Sequence, residues 1–307
     1  MRYAVMGAGA LGGYIGGRLA ASGNDVKLVA RGAHLAAMQK DGLRIESPKG
    51  DAHIPQIRAT DDPATVGIVD CILFLVKNFD AEASALQMLA MVGRDTVIIP
   101  FQNGVSAPDI VRRVTGSDNV LPGVIRFPAD IRTPGVVRHS APFDHVIFGE
   151  TGGGISPRCL AVATDMKDAG LMARVADNIM QEIWDKLTMQ ASFASVTSLT
   201  RLDIGPIRDN AACSELFIAS MQETETVARA VMPDLQPGMA MRAWEMLGTL
   251  PPNVHSSMLD DLQRGKPIEV DSLSGEVARL GEIHGIPTPL HGMFTAALQP
   301  FVNGTPS

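Results

Sequence analysis

Near the start of the chain the short apolar run Tyr3-Ala4-Val5-Met6 breaks into Gly7-Ala8-Gly9-Ala10-Leu11-Gly12. This feature constrains the fold more than any other. A Gly-x-Gly-x-x-Gly turn between a strand and a helix gives a tight bend, a backbone that a ligand can approach closely, and a helix N-terminus whose N–H groups attract anions. By itself the pattern is weak, because small residues also recur wherever elements pack closely. Its surroundings decide: Leu11, Ile15 and Leu19 repeat at helical spacing through Ser22, Gly23-Asn24 is a stop, and Val26, Leu28 and Val29 form a second apolar strand. The expectation is a βαβ unit that cradles a pyrophosphate. Gly9, Gly13 and Gly17 also carry the small-xxx-small spacing of membrane helix pairs, but Arg18 and the shortness of the run exclude a bilayer span.

The end of the second strand speaks to which dinucleotide fits. An acidic side chain there would accept hydrogen bonds from ribose hydroxyls and repel a 2′-phosphate. This chain has Val29-Ala30-Arg31 instead. A guanidinium pairs with a phosphate through two parallel hydrogen bonds, so Arg31 points to NADPH rather than NADH. The competing reading of Arg31 is an ordinary solvated loop charge.

The rest of the chain divides by pattern. Cys71 to Val76 and Thr96 to Pro100 are continuous apolar runs of the kind that strands buried on both faces require. Lys77 follows the first and Gln102-Asn103-Gly104 the second, and the carboxyl ends of such strands are where open α/β sheets bind ligands. Val136 to Arg138 and Val146 to Phe148 read as a strand pair closing the sheet edge. Beyond about residue 175 the strand signal fades. Segments 179–200, 210–230, 239–248, 254–264, 269–284 and 290–301 carry helical spacing between Gly and Pro breaks. The expected architecture is an α/β Rossmann-type dinucleotide-binding domain over 1–176 followed by an all-α domain over 177–307, with the substrate meeting the nicotinamide between them.

With 307 residues, 46% of them hydrophobic, the chain can bury a core large enough for two domains. A net charge of −7 without any basic run argues against a nucleic-acid partner. Cys71, Cys159 and Cys213 are far apart, so neither a disulfide framework nor a zinc site is expected, and the histidines do not cluster at metal-ligand spacing. The N-terminus reads as a first strand and not as a signal peptide, and no long apolar stretch occurs, so a cytoplasmic protein without a membrane partner is expected. A homodimer is allowed. The methionines at 221, 232, 239, 241, 246 and 258 read as core packing.

Reducing a ketone with a nicotinamide needs a proton donor beside the carbonyl oxygen. Lys186, in Ile183-Trp184-Asp185-Lys186-Leu187, is the best donor, since apolar neighbours on its helix would desolvate its ammonium and lower its pKa. The alternative is a lysine whose stem covers apolar surface, or one paired with Glu182. Glu269, leading into a helix expected over 270–284, is either a site carboxylate or a partner of the helix dipole. Ser256 and Ser257 are either cap or surface hydroxyls, and without a Gly-x-Ser-x-Gly elbow a hydrolase is not expected.

Read in order, these residues resemble the ketopantoate reductases (2-dehydropantoate 2-reductases), and the resemblance covers nearly the whole chain. Gly7 to Gly13 resembles the family's opening, Lys77 and Gln102-Asn103-Gly104 its strand ends, and Trp184-Asp185-Lys186-Leu187 its Trp-x-Lys helix. Ser256-Ser257-Met258 and His284-Gly285-Ile286-Pro287-Thr288-Pro289 are similar to its later signatures. The resemblance implies a C-terminal domain of the 6-phosphogluconate dehydrogenase type, Lys186 as general acid, and Arg31 and Lys77 at the adenosine end of NADPH. It also implies that Asn103 anchors the cofactor near the nicotinamide, with Ala129 as a backbone contact, Ser257 on the substrate, and Glu269 beside cofactor and substrate. The implied reaction takes 2-dehydropantoate to pantoate.

The chain also departs from the family. Gln190, Ala194 and Ile204 stand where the resemblance implies substrate-contacting asparagines. Losing amides that pair with buried substrate oxygens costs about 1 to 3 kcal/mol each. Three alternatives follow: a paralogue reducing a more apolar 2-oxo acid, an opine-type dehydrogenase that adds an amine co-substrate, and an NADPH-sensing protein without catalysis.

Overall fold

A computed structural model describes residues 1–306. The opening is the βαβ unit read from the sequence: β1 (Arg2–Met6), α1 (Ala10–Ala21) and β2 (Asp25–Val29), followed by α2 (Gly32–Asp41). After it come β3 (Leu43–Glu46), β4 (Ala52–Ile54), β5 (Arg58–Thr60), β6 (Cys71–Phe74), α3 (Ala81–Gln87), β7 (Val97–Pro100) and α4 (Ala107–Thr115). Five of these strands form a parallel sheet in the order β5-β2-β1-β6-β7.

The unbroken apolar runs are explained by what lies on each face of this sheet. Tyr3, Val5, Leu28, Cys71, Leu73, Val97 and Ile99 face one core cluster, while Ala4, Met6, Val29, Ile72, Phe74 and Ile98 face a second. Successive side chains of a strand point to opposite faces, so a strand covered on both sides must be apolar at every position. Each buried Val, Leu, Ile, Phe or Met among them contributes about 1.5–3 kcal/mol relative to exposure.

The strands after residue 120 depart from expectation. They are β8 (Gly123–Arg126), β9 (Ala129–Thr133), β10 (Val136–His139), β11 (His145–Phe148) and, after α5 (Pro157–Asp168), β12 (Met172–Val175). β10 and β11 were expected to pair with each other, but β10 lies between β3 and β9 in a four-stranded sheet and β11 between β12 and β8 in a three-stranded one. Each finds a partner far away in sequence, which local alternation does not encode.

The remaining helices are α6 (Ile179–Thr200), α7 (Ile204–Arg208), α8 (Ala211–Val231), α9 (Met239–Gly248), α10 (Ser257–Gln263), α11 (Ser274–His284) and α12 (Pro289–Leu298). Their core joins Phe193, Val196, Ile204, Ile207, Phe217, Met221, Leu247 and Phe294. Met221, Met239 and Met258 are buried as expected, whereas Met241 and Met246 are exposed. The helix expected over 270–284 begins only at Ser274, because Val270–Ser272 is a 3-10 turn. By its internal contacts the chain forms two compact units: Met1–Gln102 with Ser106–Met180, and Asn103–Val105 with Gln181 onward. The parallel-sheet fold with a helical C-terminal part is the one read from the sequence.

Candidate functional site

In the first unit the glycine turn has a distinct job for each glycine. Gly7 has φ +98°, and a Cβ there would lie 2.7 Å from the Val76 nitrogen, so only glycine fits the bend. The Ala8 N–H donates to the Val29 carbonyl at 2.8 Å, tying the turn to the end of β2. A Cβ on Gly12 would meet the Gly7 carbonyl and come within 2.9 Å of Val5 Cγ1, so this glycine brings α1 down onto β1. Gly9 is different: a Cβ there would find nothing within 4 Å. Gly9 is also the N-cap of α1, no side chain caps that helix, and its first turn holds no acidic residue. The turn is therefore filled below and open above, with first-turn N–H groups that lie beyond the intrahelical ladder. These residues fit a pyrophosphate.

Arg31 caps α2 in extended conformation at the carboxyl end of β2. Its side chain is 64% exposed, and Nη1 lies 3.9 Å from Asp80 Oδ2. An exposed pair this loose is worth about 0–1 kcal/mol, weak enough for a phosphate to displace. Lys77 is exposed and caps the 3-10 turn Asn78–Asp80 that carries Asp80. Ala129 opens β9, half-buried opposite His139.

Two further polar side chains of this unit, Gln102 and His34, each hold a buried atom without a partner in the protein. Gln102 Nε2 donates to the Val76 carbonyl at 3.2 Å, and its buried Oε1 has no hydrogen-bond partner in the protein. The Gly135 N–H donates to His34 Nδ1 at 3.0 Å, so the hydrogen of the neutral ring sits on Nε2, which is buried and unpaired. Burial lowers the His34 pKa and holds the ring neutral. Gln102 was visible in the Gln-Asn-Gly run, but nothing in the spacing marked His34 or Asp80.

The second unit carries the remaining candidates. Lys186 is half-buried on α6 among the buried Ile183, Trp184, Leu187 and Thr188. Gln190 and Ala194 follow at four-residue steps, which places all three on one helix face. Gln190 Oε1 is buried with no partner in the protein, and Ala194 is fully enclosed. Ile204, by contrast, is a core residue of the helical cluster and donates its N–H to the Val254 carbonyl. Asp185, next to the lysine, pairs with Arg242 at 3.0 Å.

Asn103 and Glu269 come together from distant parts of the sequence: Asn103 Nδ2 donates to Glu269 Oε2 over a long 3.5 Å. What brings them close is backbone packing. Gly104 has φ +88°, and a Cβ there would stand 2.5 Å from the Ser272 carbonyl oxygen, so the Asn103 loop lies against the turn that Glu269 caps. Glu269 is only 8% exposed. Ser256 is the cap of the neighbouring pair: its Oγ accepts from the Leu259 N–H at 3.2 Å and bonds Thr197 Oγ1 at 2.7 Å. Ser257 is the exposed first residue of α10. His255 Nδ1 pairs with Asp203 at 2.6 Å and its Nε2 lies 3.5 Å from Asp260, so both ring nitrogens face carboxylates.

The candidates thus fall in two groups. Gly7 to Gly12, Arg31, Lys77 and Ala129 belong to the first unit, and Asn103, Lys186, Gln190, Ala194, Ser257 and Glu269 to the second. Among the described residues no cluster of three or more His, Cys, Asp or Glu could hold a metal, and no helix is long and apolar enough to cross a membrane.

Comparison with known proteins covers both groups. Residues 3–153 match the family profile described as "Ketopantoate reductase PanE/ApbA", and residues 178–301 match "Ketopantoate reductase PanE/ApbA C terminal". A 2-dehydropantoate 2-reductase of Mesorhizobium japonicum is 31% identical over 94% of this chain and 94% of its own. The crystal structure of a PanE/ApbA family ketopantoate reductase from Ralstonia eutropha JMP134 superposes with a TM-score of 0.91 at 30% identity, covering 98% of both chains. A D-mandelate dehydrogenase in ternary complex with NADH and anilino(oxo)acetate shares the fold, with a TM-score of 0.89 at 21% identity over 98% of both chains.

Proposed function

The chain belongs to the ketopantoate reductase family, a family of oxidoreductases, and from that premise we propose that it reduces 2-dehydropantoate to pantoate with NADPH. The observation that carries the reading is the glycine turn, closed at Gly7 and Gly12 and open at Gly9, at the start of a helix that no side chain caps. A turn of this shape, between a parallel strand and a helix, fits a pyrophosphate. The guanidinium of Arg31 and the ammonium of Lys77 take the phosphate at the adenosine end, and the amide of Asn103 holds the other end beside Glu269.

When bound, the dinucleotide supplies the hydride that reduces the carbonyl carbon. The protein's own residues handle the proton and the alignment. As the carbonyl carbon is reduced, Lys186 would give a proton from its ammonium to the oxygen, which stays bonded to that carbon and would otherwise be left as an alkoxide. Ser257 offers a hydroxyl to the substrate, and the carboxylate of Glu269 orients the donors around it. Gln190, one turn beyond Lys186, offers a carbonyl oxygen that nothing in the protein pairs.

The decisive measurement is loss of nicotinamide absorbance when 2-dehydropantoate is added to protein and NADPH. Lys186→Ala should lower turnover by about 10²-fold or more with dinucleotide affinity kept. Absence of turnover with 2-dehydropantoate refutes the substrate assignment. One observation favours a second reading. Ala194 carries no polar side-chain atom and Ile204 belongs to the core, so Gln190 is the only polar side chain of the three positions. A 2-oxo acid with an apolar substituent is then the substrate, and a panel of such acids assayed beside 2-dehydropantoate separates the two.

A further inference from the structure

Within the helical unit lies a histidine that this reading does not use. His291, on α12, is fully buried. Its Nε2 stands 2.8 Å from the Ser220 carbonyl oxygen and 2.8 Å from Thr224 Oγ1, both on α8. Its Nδ1 stands 3.0 Å from the hydroxyl of Ser274, the first residue of α11. A carbonyl only accepts, so Nε2 carries the ring hydrogen, and the neutral ring leaves Nδ1 as an acceptor. The Ser274 hydroxyl must therefore donate to Nδ1, and its oxygen accepts from Ser195 Oγ of α6 at 2.7 Å. Geometry alone sets the direction of this chain: Ser195 to Ser274 to His291 to the Ser220 carbonyl. Burial keeps the imidazole neutral, so the direction holds at neutral pH.

The place where the chain anchors α11 gives it a consequence. Between Glu269 and Ser274 the backbone is a 3-10 turn, in which the Ser272 N–H donates to the Glu269 carbonyl at 3.1 Å and the Leu273 N–H to the Val270 carbonyl at 3.2 Å. These two bonds tie residues 269–273 together directly before Ser274, so the position of Ser274 bears on that of Glu269. Ser274 is held against α6, the helix that carries Lys186, at Ser195 and within 3.4 Å of the Ala191 carbonyl. We propose that His291 is a positioning residue: by accepting from Ser274 it locks the Glu269 turn in one register against the Lys186 helix. The inference rests on the reading that Lys186 and Glu269 serve the reaction. Without the acceptor, the Ser274 hydroxyl turns to the Ala191 carbonyl and the turn gains a second position. A reaction that depends on alignment loses rate steeply for shifts on the order of 1 Å.

Replacing the ring by amides of different reach separates positioning from mere packing. In His291→Asn the side-chain oxygen takes the place of Nδ1 and can still accept from Ser274, whereas in His291→Gln the amide reaches the Ser220 carbonyl and the acceptor near Ser274 is lost. Turnover, KM for the 2-oxo acid, dinucleotide Kd, melting temperature and amide exchange across residues 269–273 are measured for both, together with Ser274→Ala. We expect about a tenfold or greater fall in kcat for His291→Gln and Ser274→Ala, with Kd held within about twofold and faster exchange in the turn. His291→Asn should keep kcat within about threefold at a melting temperature similar to that of His291→Gln. Rates that follow melting temperature equally in the two histidine variants overturn the proposal, and Ser274→Ala decides should both fail to fold. Lys186→Ala is run alongside. If it retains full turnover, the reading of the site fails. If it abolishes turnover while Ser274→Ala and His291→Gln stay at wild-type rate, only the positioning role fails.

Discussion

Acid should weaken the helical unit through His291, and the size of the effect can be worked out. Burial pushes the His291 pKa from 6.5 to about 4, with the Ser220 carbonyl partly opposing the shift. Glu223, on the packed helix α8, accepts from the backbone N–H groups of Leu290 and His291. In the unfolded chain the imidazole takes up a proton below its ordinary pKa, while in the folded protein it stays neutral until near 4. The unfolded state therefore binds more protons across that window, and stability falls as the pH falls. From the two pKa values the loss is about 2 kcal/mol at pH 5 and about 3 kcal/mol at pH 4, relative to neutral pH. Urea unfolding followed by tryptophan fluorescence reads this unit selectively, because both tryptophans, Trp184 and Trp244, lie in it. His291→Asn lacks the titration and serves as the reference. The gap between wild type and variant should shift against wild type by those amounts on acidification. Parallel pH profiles for the two proteins would refute the reasoning, since they would mean that the buried imidazole charges as easily folded as unfolded.

Other outcomes follow from single positions. Gly9→Ala should leave the melting temperature unchanged, because its Cβ meets nothing, yet raise dinucleotide Kd by about tenfold in a fluorescence titration as the methyl group occupies the approach face. Gly12→Ala should instead lower stability by about 1–3 kcal/mol in urea, since its Cβ collides with backbone and with Val5. Arg31→Glu should cut the NADPH-over-NADH preference by about tenfold or more, read from the two dissociation constants. A maleimide should label Cys213 rapidly in the native protein and Cys71 and Cys159 only on unfolding, because burial shields both thiols and raises their pKa.

The parallel sheet was legible because its strands are apolar at every position and its turn residues are glycines with separate steric duties. The helix periods were legible too, down to the Ser22 end of α1. Pairing beyond residue 120 was not. Whether β10 meets β11 or β3 depends on which distant strand covers its edge, and alternation within β10 is the same in both cases. The site shows the same division. Lys186 stood out by its apolar neighbours, but Glu269 looked like the first residue of a helix when it caps a 3-10 turn tied to Gly104. Ile204, which the resemblance aligns with a substrate-contacting asparagine, lies in the helical core, a burial its sequence neighbours do not reveal. The partners of His291 lie 17 to 71 residues away, and no local pattern encodes such a contact.

Asn103, Gly104 and Val105 sit in the middle of the sheet-forming sequence but pack with the helices. This three-residue detour is a stitch in the chain. No single cut yields two complete halves: a break near residue 180 would leave the helical fragment without Asn103 opposite Glu269, and would leave the sheet fragment with an unclothed loop. Fragments made that way should complement each other only when mixed, and a hybrid built by swapping helical parts between relatives would need to carry these three residues across with them.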